Sequence, residues 1–314
     1  MLLDLLAVAG GLVLLTGGAT ALVRGAAALA LRLGLTPLVV GLTVVAFGTS
    51  APELVVSVDA ALKEAGGIAV GNVVGSNVAN VGLILGLAAL LRPFDVPRSL
   101  LRFDLPVMIG ATVLVAVLLS DDRVGLVEGA LLVAGLVAYI GLSVWRARAD
   151  RAADALMGEV PTVTGPAWLD PLLVVAGLAL LVGGAELLVG GAVALAEHFG
   201  VSDALIGLTI VAIGTSLPEL ATSIVAALRG EGAIAAGNAV GSNLFNLLGI
   251  LGVAAVVHPL HASGIRPTDL LALAAFAVVL LPLMLTGRRL ARPEGALLLA
   301  GYASYVGYLV AQHG

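Results

Sequence analysis

The chain contains no cysteine, which excludes disulfide frameworks, thiolate metal centres and redox dithiols. Charge is scarce too: 11% of the 314 residues are Asp, Glu, Lys or Arg, against 60% that are hydrophobic. A water-soluble domain of this length could not cover its surface from so small a polar supply. Histidines with metal-ligand spacing are also missing; His198, His258, His261 and His313 fall in loops or the tail and read as solvated. No histidine or lysine lies within the apolar runs to activate a serine, and no paired catalytic aspartates occur, so an intramembrane hydrolase is set aside. No resident cofactor, nucleic-acid partner or obligatory protein partner is expected. The opening MLLDLLAVAGG has Asp4 where a cleavable signal would carry its basic region, so the first helix is expected to be retained.

What remains is lipid-compatible sequence. Mean hydropathy is +1.15, and the apolar stretches run about 20 residues or more between short charged breaks, which suits helices crossing a ~30 Å hydrocarbon layer better than the ten-residue strands of a barrel. The reading is an all-α integral membrane protein whose partner is the lipid bilayer. Ten transmembrane helices are predicted near residues 3–31, 36–62, 67–91, 100–119, 124–146, 168–197, 203–229, 232–257, 267–286 and 294–312. Residues 148–167, with mixed charges and two prolines, read as a short linker between a first unit, 1–147, and a second, 168–314. Trp145 and Trp168 bracket it, where amphipathic rings favour the headgroup level.

Basic residues suggest the orientation. With the N-terminus outside, twelve arginines (24, 32, 92, 98, 102, 146, 148, 151, 229, 288, 289 and 292) fall on the inner side, and only Lys63, Arg123 and Arg266 fall outside. That bias predicts a cell inner (plasma) membrane protein with both termini outside and the linker in the cytoplasm.

An internal repeat organises the chain. Residues 41–86 align without a gap to residues 207–252, with 28 of 46 positions identical at an offset of 166. Each unit holds five predicted spans, an odd number, so the second must enter the membrane from the opposite side. The expectation is two inverted-topology five-helix repeats, with a site near the midplane where discontinuous helices meet.

The segment GLTVVAFGTSAPE, residues 41–53, carries a break and a carboxylate inside an apolar run. Pro52 has no N–H for the Gly48 carbonyl and its ring collides there, so a break is predicted at Gly48. Freed carbonyls around Ala46, Gly48 and Thr49 are tolerable at membrane depth only beside a polar cavity or a cation. Glu53, Thr49 and Ala46 share one helical face. Ala212, Gly214, Thr215, Ser216, Pro218 and Glu219 repeat the arrangement. Asn72, Ser76 and Asn80 form a polar stripe at i, i+4 and i+8, as do Asn238, Ser242 and Asn246, beside a packing stripe of Gly71, Gly75, Ala79, Gly82 and Gly86. Carboxylates, hydroxyls, amide oxygens and carbonyls without nitrogen or sulfur ligands make a cage for Ca²⁺ or Na⁺. A glutamate inside a membrane helix costs roughly 2.5–3.5 kcal/mol on insertion scales, so two at equivalent positions are read as functional. Asp59 and Glu186, whose equivalents are Val225 and Thr20, are left outside the core site, and Glu128 and Asp104 are read as unmatched.

GTSAPE with GNVVGSNVAN, and GTSLPE with GNAVGSNLFN, resemble the paired alpha-repeats of the sodium/calcium exchanger family, within the calcium/cation antiporter superfamily. The resemblance implies Ca²⁺/Na⁺ antiport by alternating access, with the first and sixth helices sliding against an eight-helix core. It implies that Glu53 and Glu219 are shared carboxylates. Thr49, Ser50, Ser76, Thr215, Ser216 and Ser242, with the carbonyls of Ala46 and Ala212, would complete the ion sites, and Asn80 and Asn246 would lie between the repeats. Two departures stand out: Asn246 occupies a position that is aspartate in the archaeal type, and the long regulatory loop of animal members is missing. The proton-coupled branch usually has Asn after the glycine in place of Thr49-Ser50, so sodium coupling is favoured; a proton-coupled antiporter and a cation channel are the alternatives.

Overall fold

Leu, Ala and Val runs make helices that tolerate interior glycines and, at Pro282, a proline, and short polar or glycine turns end them. The computed structural model describes residues 1–156, 165–199, 212–262 and 264–313. Among these, seven helices are long and apolar enough to cross a membrane, and the pair Pro37–Thr49 and Ala51–Leu62, bent by 48°, makes an eighth if taken as one span. The chain is an all-helical, multi-pass membrane protein. Its polarity is inverted relative to a soluble domain: Leu12, Val13, Val55, Leu131, Val175 and Leu271 face outward, while Thr49, Ser50, Glu53, Asn80, Glu219 and Asn246 are buried. Lipid tails accept the first set, and only the bundle interior accepts the second.

Most predicted helices lie within a few residues of their expected limits. Leu2–Leu33, Gly66–Leu91, Leu169–His198, Gly232–Val257 and Pro267–Leu285 are examples, and Arg292–His313 closes the chain as a helix of 22 residues. One reading needs correction, and another is described only in part. The helix expected to stop at residue 146 continues to Leu156, because RARADRAADAL consists largely of good helix formers and no proline interrupts it before Pro161. The first part of the segment read as linker is therefore helical. The helix expected over 203–229 lies partly outside the described residues; Ala212–Gly214 and Leu217–Arg229 are what is described of it.

The Leu2–Leu33 and Leu169–His198 helices run antiparallel along a glycine seam that the sequence reading did not single out. Gly11, Gly18 and Gly25 face Gly184, Gly177 and Asp170. A Cβ on Gly18 would stand 2.8 Å from the Gly177 carbonyl oxygen, and one on Gly177 would stand 2.6 Å from the Leu22 nitrogen. Backbones this close exclude any side chain, so the seven-residue glycine spacing locks the two helices together. At one end Arg32 donates to the buried Asp170 carboxylate, and its Nη2 donates to the Gly165 carbonyl oxygen at 2.7 Å.

The two units are also tied by short antiparallel ribbons. Phe94–Asp95 pairs with Arg289–Leu290, and Arg123–Val124 pairs with Leu260–His261. Adding 166 to one ribbon's first-unit residues gives second-unit residues of the other. The most enclosed helices are Gly66–Leu91 and Gly232–Val257. Gly237 and Gly241 let the latter cross the Pro37–Thr49 helix closely: a Cβ on Gly241 would lie 2.6 Å from the Leu42 carbonyl oxygen. Gly82 and Gly86 give similar clearance to Phe276, Tyr302 and Leu299, whereas no such contact surrounds Gly75 among the described residues.

Candidate ion-binding site

The break in the first unit falls at Ser50, with φ −84° and ψ 8°, two residues beyond Gly48. Pro52 sits in the first turn of the Ala51–Leu62 helix, where a missing N–H is harmless. The chain leaves the old helix before the proline ring can strike it, which accounts for the shift. Ser216 repeats the kink at φ −87° and ψ 6°, ahead of Pro218. Gly48 and Gly214 serve packing instead: Cβ atoms there would lie 2.5 Å from Leu178 and from Val189, side chains of the Leu169–His198 helix.

Each break delivers a serine to the opposite unit's carboxylate. Ser50 Oγ donates to Glu219 Oε1 at 2.8 Å, and Ser216 Oγ donates to Glu53 Oε1 at 3.2 Å. Thr49 and Thr215 lie beside the same two carboxylates, Thr49 next to Glu219 and Thr215 next to Glu53. Glu53 is 2% exposed and Glu219 1%, so water does not dissipate the field between them. Helical periodicity alone puts Thr49 with Glu53 of its own helix, but the kink turns the hydroxyls across the bundle. The Ala46 carbonyl, expected to be free, accepts the Ser50 N–H at 3.0 Å and lies 3.4 Å from Thr49 Oγ1. Ala212 stands at the edge of the described residues, opening the helix that leads to Ser216.

The polar stripes divide by role. Asn72 Nδ2 donates to the Glu53 carbonyl oxygen at 3.1 Å and to Ser57 Oγ at 2.9 Å, and Asn238 Nδ2 does the same to Glu219 at 3.3 Å and Ser223 at 3.0 Å. These amides hold the carboxylate-bearing helices in place. Asn238 Oδ1 also accepts from Thr49 Oγ1 at 3.1 Å, and Asn80 Nδ2 donates to Asn243 Oδ1 at 3.0 Å, both across the units. Ser76 is buried at the centre of its stripe. π-helical turns at Asn80–Leu85 and Phe245–Ile250 place the last residues of both stripes, a local widening often found at functional sites.

One set of atoms has no partner among the described residues: Glu53 Oε2, Glu219 Oε2, Asn80 Oδ1, Asn246 Oδ1, Ser242 Oγ and Asn77 Oδ1 are buried without a hydrogen bond. Buried polar atoms left alone are expensive. Here every one is an oxygen, and most belong to the predicted set; oxygens of this kind suit a hard cation such as Ca²⁺ or Na⁺. Among the described residues no cluster of three or more His, Cys, Asp and Glu occurs that would suit a transition metal.

Several residues escaped the sequence reading. Ser57, Ser223, Asn77 and Asn243 all sit at repeat-equivalent positions, which was the available signal. Glu128 is not unmatched: Glu294 lies 166 residues on, and both occupy the first turn of a helix. Asp104 accepts from Tyr139 Oη at 2.9 Å, and Asp269 accepts from Tyr305 Oη at 3.1 Å. The tyrosines obey the offset while the aspartates miss it by one residue, which hid the pair. Asp59 forms an exposed pair with Lys63 at 2.7 Å, and Glu186 is exposed on its helix, both outside the cluster.

The holding role of the amides has a consequence. Asn238→Ala removes the bonds to the Glu219 carbonyl and Ser223 and strands buried oxygens at about 1–3 kcal/mol each. The variant is expected to melt several degrees lower and to transport at a reduced rate, as read by thermal unfolding in detergent and by ion flux in vesicles. An unchanged melting temperature would contradict the assignment.

Two buried carboxylates just past the breaks of discontinuous helices, with unpaired buried oxygens on the helices that follow, define a cation-handling membrane transporter. Comparison with known proteins gives the particular family. The sodium/calcium exchanger protein family matches residues 3–145 and 169–311, and the chain belongs to it. A protein named CaxA from Alkalimonas amylolytica is 42% identical over 270 residues, covering 83% of this chain and 84% of that protein. The sodium/calcium exchanger MaX1 of Methanosarcina acetivorans is 34% identical over 301 residues, covering 83% and 85%. The solved structure of the sodium-calcium exchanger NCX_Mj soaked with Na⁺ and Sr²⁺ superposes with a TM-score of 0.86 at 31% identity, over 98% of each chain.

Proposed function

We propose that this protein is a secondary active antiporter that exchanges Ca²⁺ for Na⁺ across the membrane by alternating access, and is not an enzyme. The reciprocal Ser50–Glu219 and Ser216–Glu53 hydrogen bonds, together with the unpaired second oxygens of both carboxylates, carry the reading. Two carboxylates balance one Ca²⁺, and the same oxygens accept Na⁺ when Ca²⁺ is gone, so competition for one cage becomes coupling. The ion ligands are Glu53, Glu219, Thr49, Thr215, Ser50, Ser216, Ser76, Ser242, Asn80 and Asn246, with the carbonyls of Ala46 and Ala212. The architecture is ten transmembrane helices in two inverted five-helix repeats, 1–147 and 168–314, in the cell's inner (plasma) membrane, with both termini outside. Paired ribbons and crossed hydrogen bonds at one offset support the repeat. The glycine seam supports Leu2–Leu33 and Leu169–His198 moving as one body against the remaining helices.

The test is counterflow. Calcium added outside vesicles loaded with radiosodium must accelerate sodium release. A channel would release sodium without calcium, and a proton-coupled antiporter would acidify or alkalise the lumen instead.

Position 246 offers a pH test. The buried Asn246 amide adds no charge, and Asn246→Asp places a third carboxylate within the cage, where protons compete with the ions for it. Calcium uptake by the variant should fall more steeply than wild type as pH is lowered and converge with it at alkaline pH. Initial uptake against pH at a fixed sodium gradient is the measurement, and superimposable profiles would remove residue 246 from the site.

A further inference from the structure

A second cavity, of ≈ 380 Å³, lies apart from the ion cage, where three helices meet. Thr36 opens the helix Pro37–Thr49, Arg98, Ser99 and Arg102 lie at the start of the helix Leu100–Asp121, and Ser143 and Arg146 belong to the long helix Leu126–Leu156. All three arginines are exposed, and among the described residues none donates a hydrogen bond or pairs with a carboxylate within 4 Å. Arg146 is instead held over the Phe103 ring at 4.1 Å, which fixes a guanidinium at the mouth. The one acidic lining residue, Asp104, is buried and accepts from Tyr139; it also feels the charge of Arg146. Ser143 Oγ, on a residue 3% exposed, lies beside Tyr139 and makes no hydrogen bond within 3.5 Å among the described residues. Three cationic forks around a buried hydroxyl, beside two helix N-termini, are chemistry for a phosphate group.

Repeat symmetry argues that this is no by-product of the fold. The positions equivalent to Arg98, Arg102, Ser143 and Arg146 are Gly264, Thr268, Leu309 and Gln312, so the second unit repeats none of the three guanidinium groups and not the serine. Orientation in the membrane requires a number of positive charges on one side, but it does not require them to line one cavity with a buried hydroxyl. The exposed Trp145 next to Arg146 suits headgroup depth.

We propose that this cavity binds the phosphate of an anionic phospholipid headgroup, docked at the start of the Pro37–Thr49 helix. Inorganic phosphate offers the same chemistry from the aqueous side. The chain has two tryptophans, so Trp168→Phe leaves Trp145 as the sole reporter beside the cavity. The experiment compares its quenching by brominated phosphatidylglycerol and by brominated phosphatidylcholine, at equal fractions in otherwise phosphatidylcholine vesicles, with and without inorganic phosphate. Preferential quenching by the glycerol lipid is expected. Apparent affinity should fall roughly fivefold for each of Arg98→Gln, Arg102→Gln and Arg146→Gln, and Arg288→Gln with Arg289→Gln should leave it unchanged. If Arg146→Gln, which also loses the contact with the Phe103 ring, does not fold, the Arg98→Gln and Arg102→Gln variants carry the same test. Inorganic phosphate should weaken the preference by competing for the same donors; no preference for the glycerol lipid, together with a change in Trp145 emission on adding inorganic phosphate, would overturn the lipid in favour of the free anion. Equal quenching by both lipids, or a preference that survives removal of the arginines, would overturn the site. The readout is lipid contact and not transport, so it fails or succeeds independently of the exchange reading.

Discussion

Glu53→Gln and Glu219→Gln are each expected to bring sodium-dependent calcium uptake down to the level of protein-free vesicles while leaving a folded, membrane-inserted protein. Either change halves the negative charge facing a divalent ion and converts one carboxylate oxygen to an amide, whose N–H₂ donors repel a cation. The structural bonds survive, because a Gln oxygen still accepts from Ser216 in place of Glu53 Oε1, or from Ser50 in place of Glu219 Oε1. The substitution also relieves part of the roughly 2.5–3.5 kcal/mol that an acidic residue costs at mid-membrane on insertion scales, so stability should hold or rise. Uptake, size-exclusion profile and thermal unfolding of the same preparations make the check. Wild-type uptake by either variant would mean that the carboxylates are structural, and unfolded protein in both would mean that the site and the fold cannot be separated.

The second large effect concerns the glycine seam. Gly18→Val should destabilise the protein by at least the 1–3 kcal/mol typical of overpacking, because the obstacle is backbone and cannot swing aside. A Cβ at Gly18 meets the Gly177 oxygen at 2.8 Å and the Leu181 nitrogen at 2.9 Å, whereas one at the neighbouring Gly17 meets nothing within 4 Å. Gly17→Val is therefore a control in the same turn with the same change in composition. Melting temperature in detergent and calcium uptake should both drop for Gly18→Val and stay near wild type for Gly17→Val. Equal behaviour of the two would show that the helices are not locked along this line.

What the sequence made legible was local or periodic. The proline break, the two carboxylates, the amide stripes and the repeat offset each follow from rules that act within one helix or along one alignment. Pairing between the units does not. Face arguments assign Thr49 to Glu53, yet the kink at Ser50 redirects the hydroxyls to the opposite carboxylate, and only three-dimensional crossing reveals that exchange. Glu128 with Glu294, and Gly11, Gly18 and Gly25 with Gly177, Gly184 and Gly191, follow the offset too, outside the 41–86 and 207–252 motifs. The tyrosine–aspartate pairs could not be found that way, since one residue of slippage separates Asp104 from the position matching Asp269. Helix limits erred where composition and propensity disagreed: charged residues after Arg146 looked like a loop and behaved as good helix formers.

The most direct measurement is radiocalcium uptake into proteoliposomes of the purified protein, with sodium placed inside, outside, on both sides or on neither. Exchange at one oxygen cage predicts rapid uptake only with sodium inside, little with sodium on both sides, and none when sodium is outside or absent. Equal uptake in all four conditions, or full replacement of the sodium gradient by a proton gradient, would contradict it.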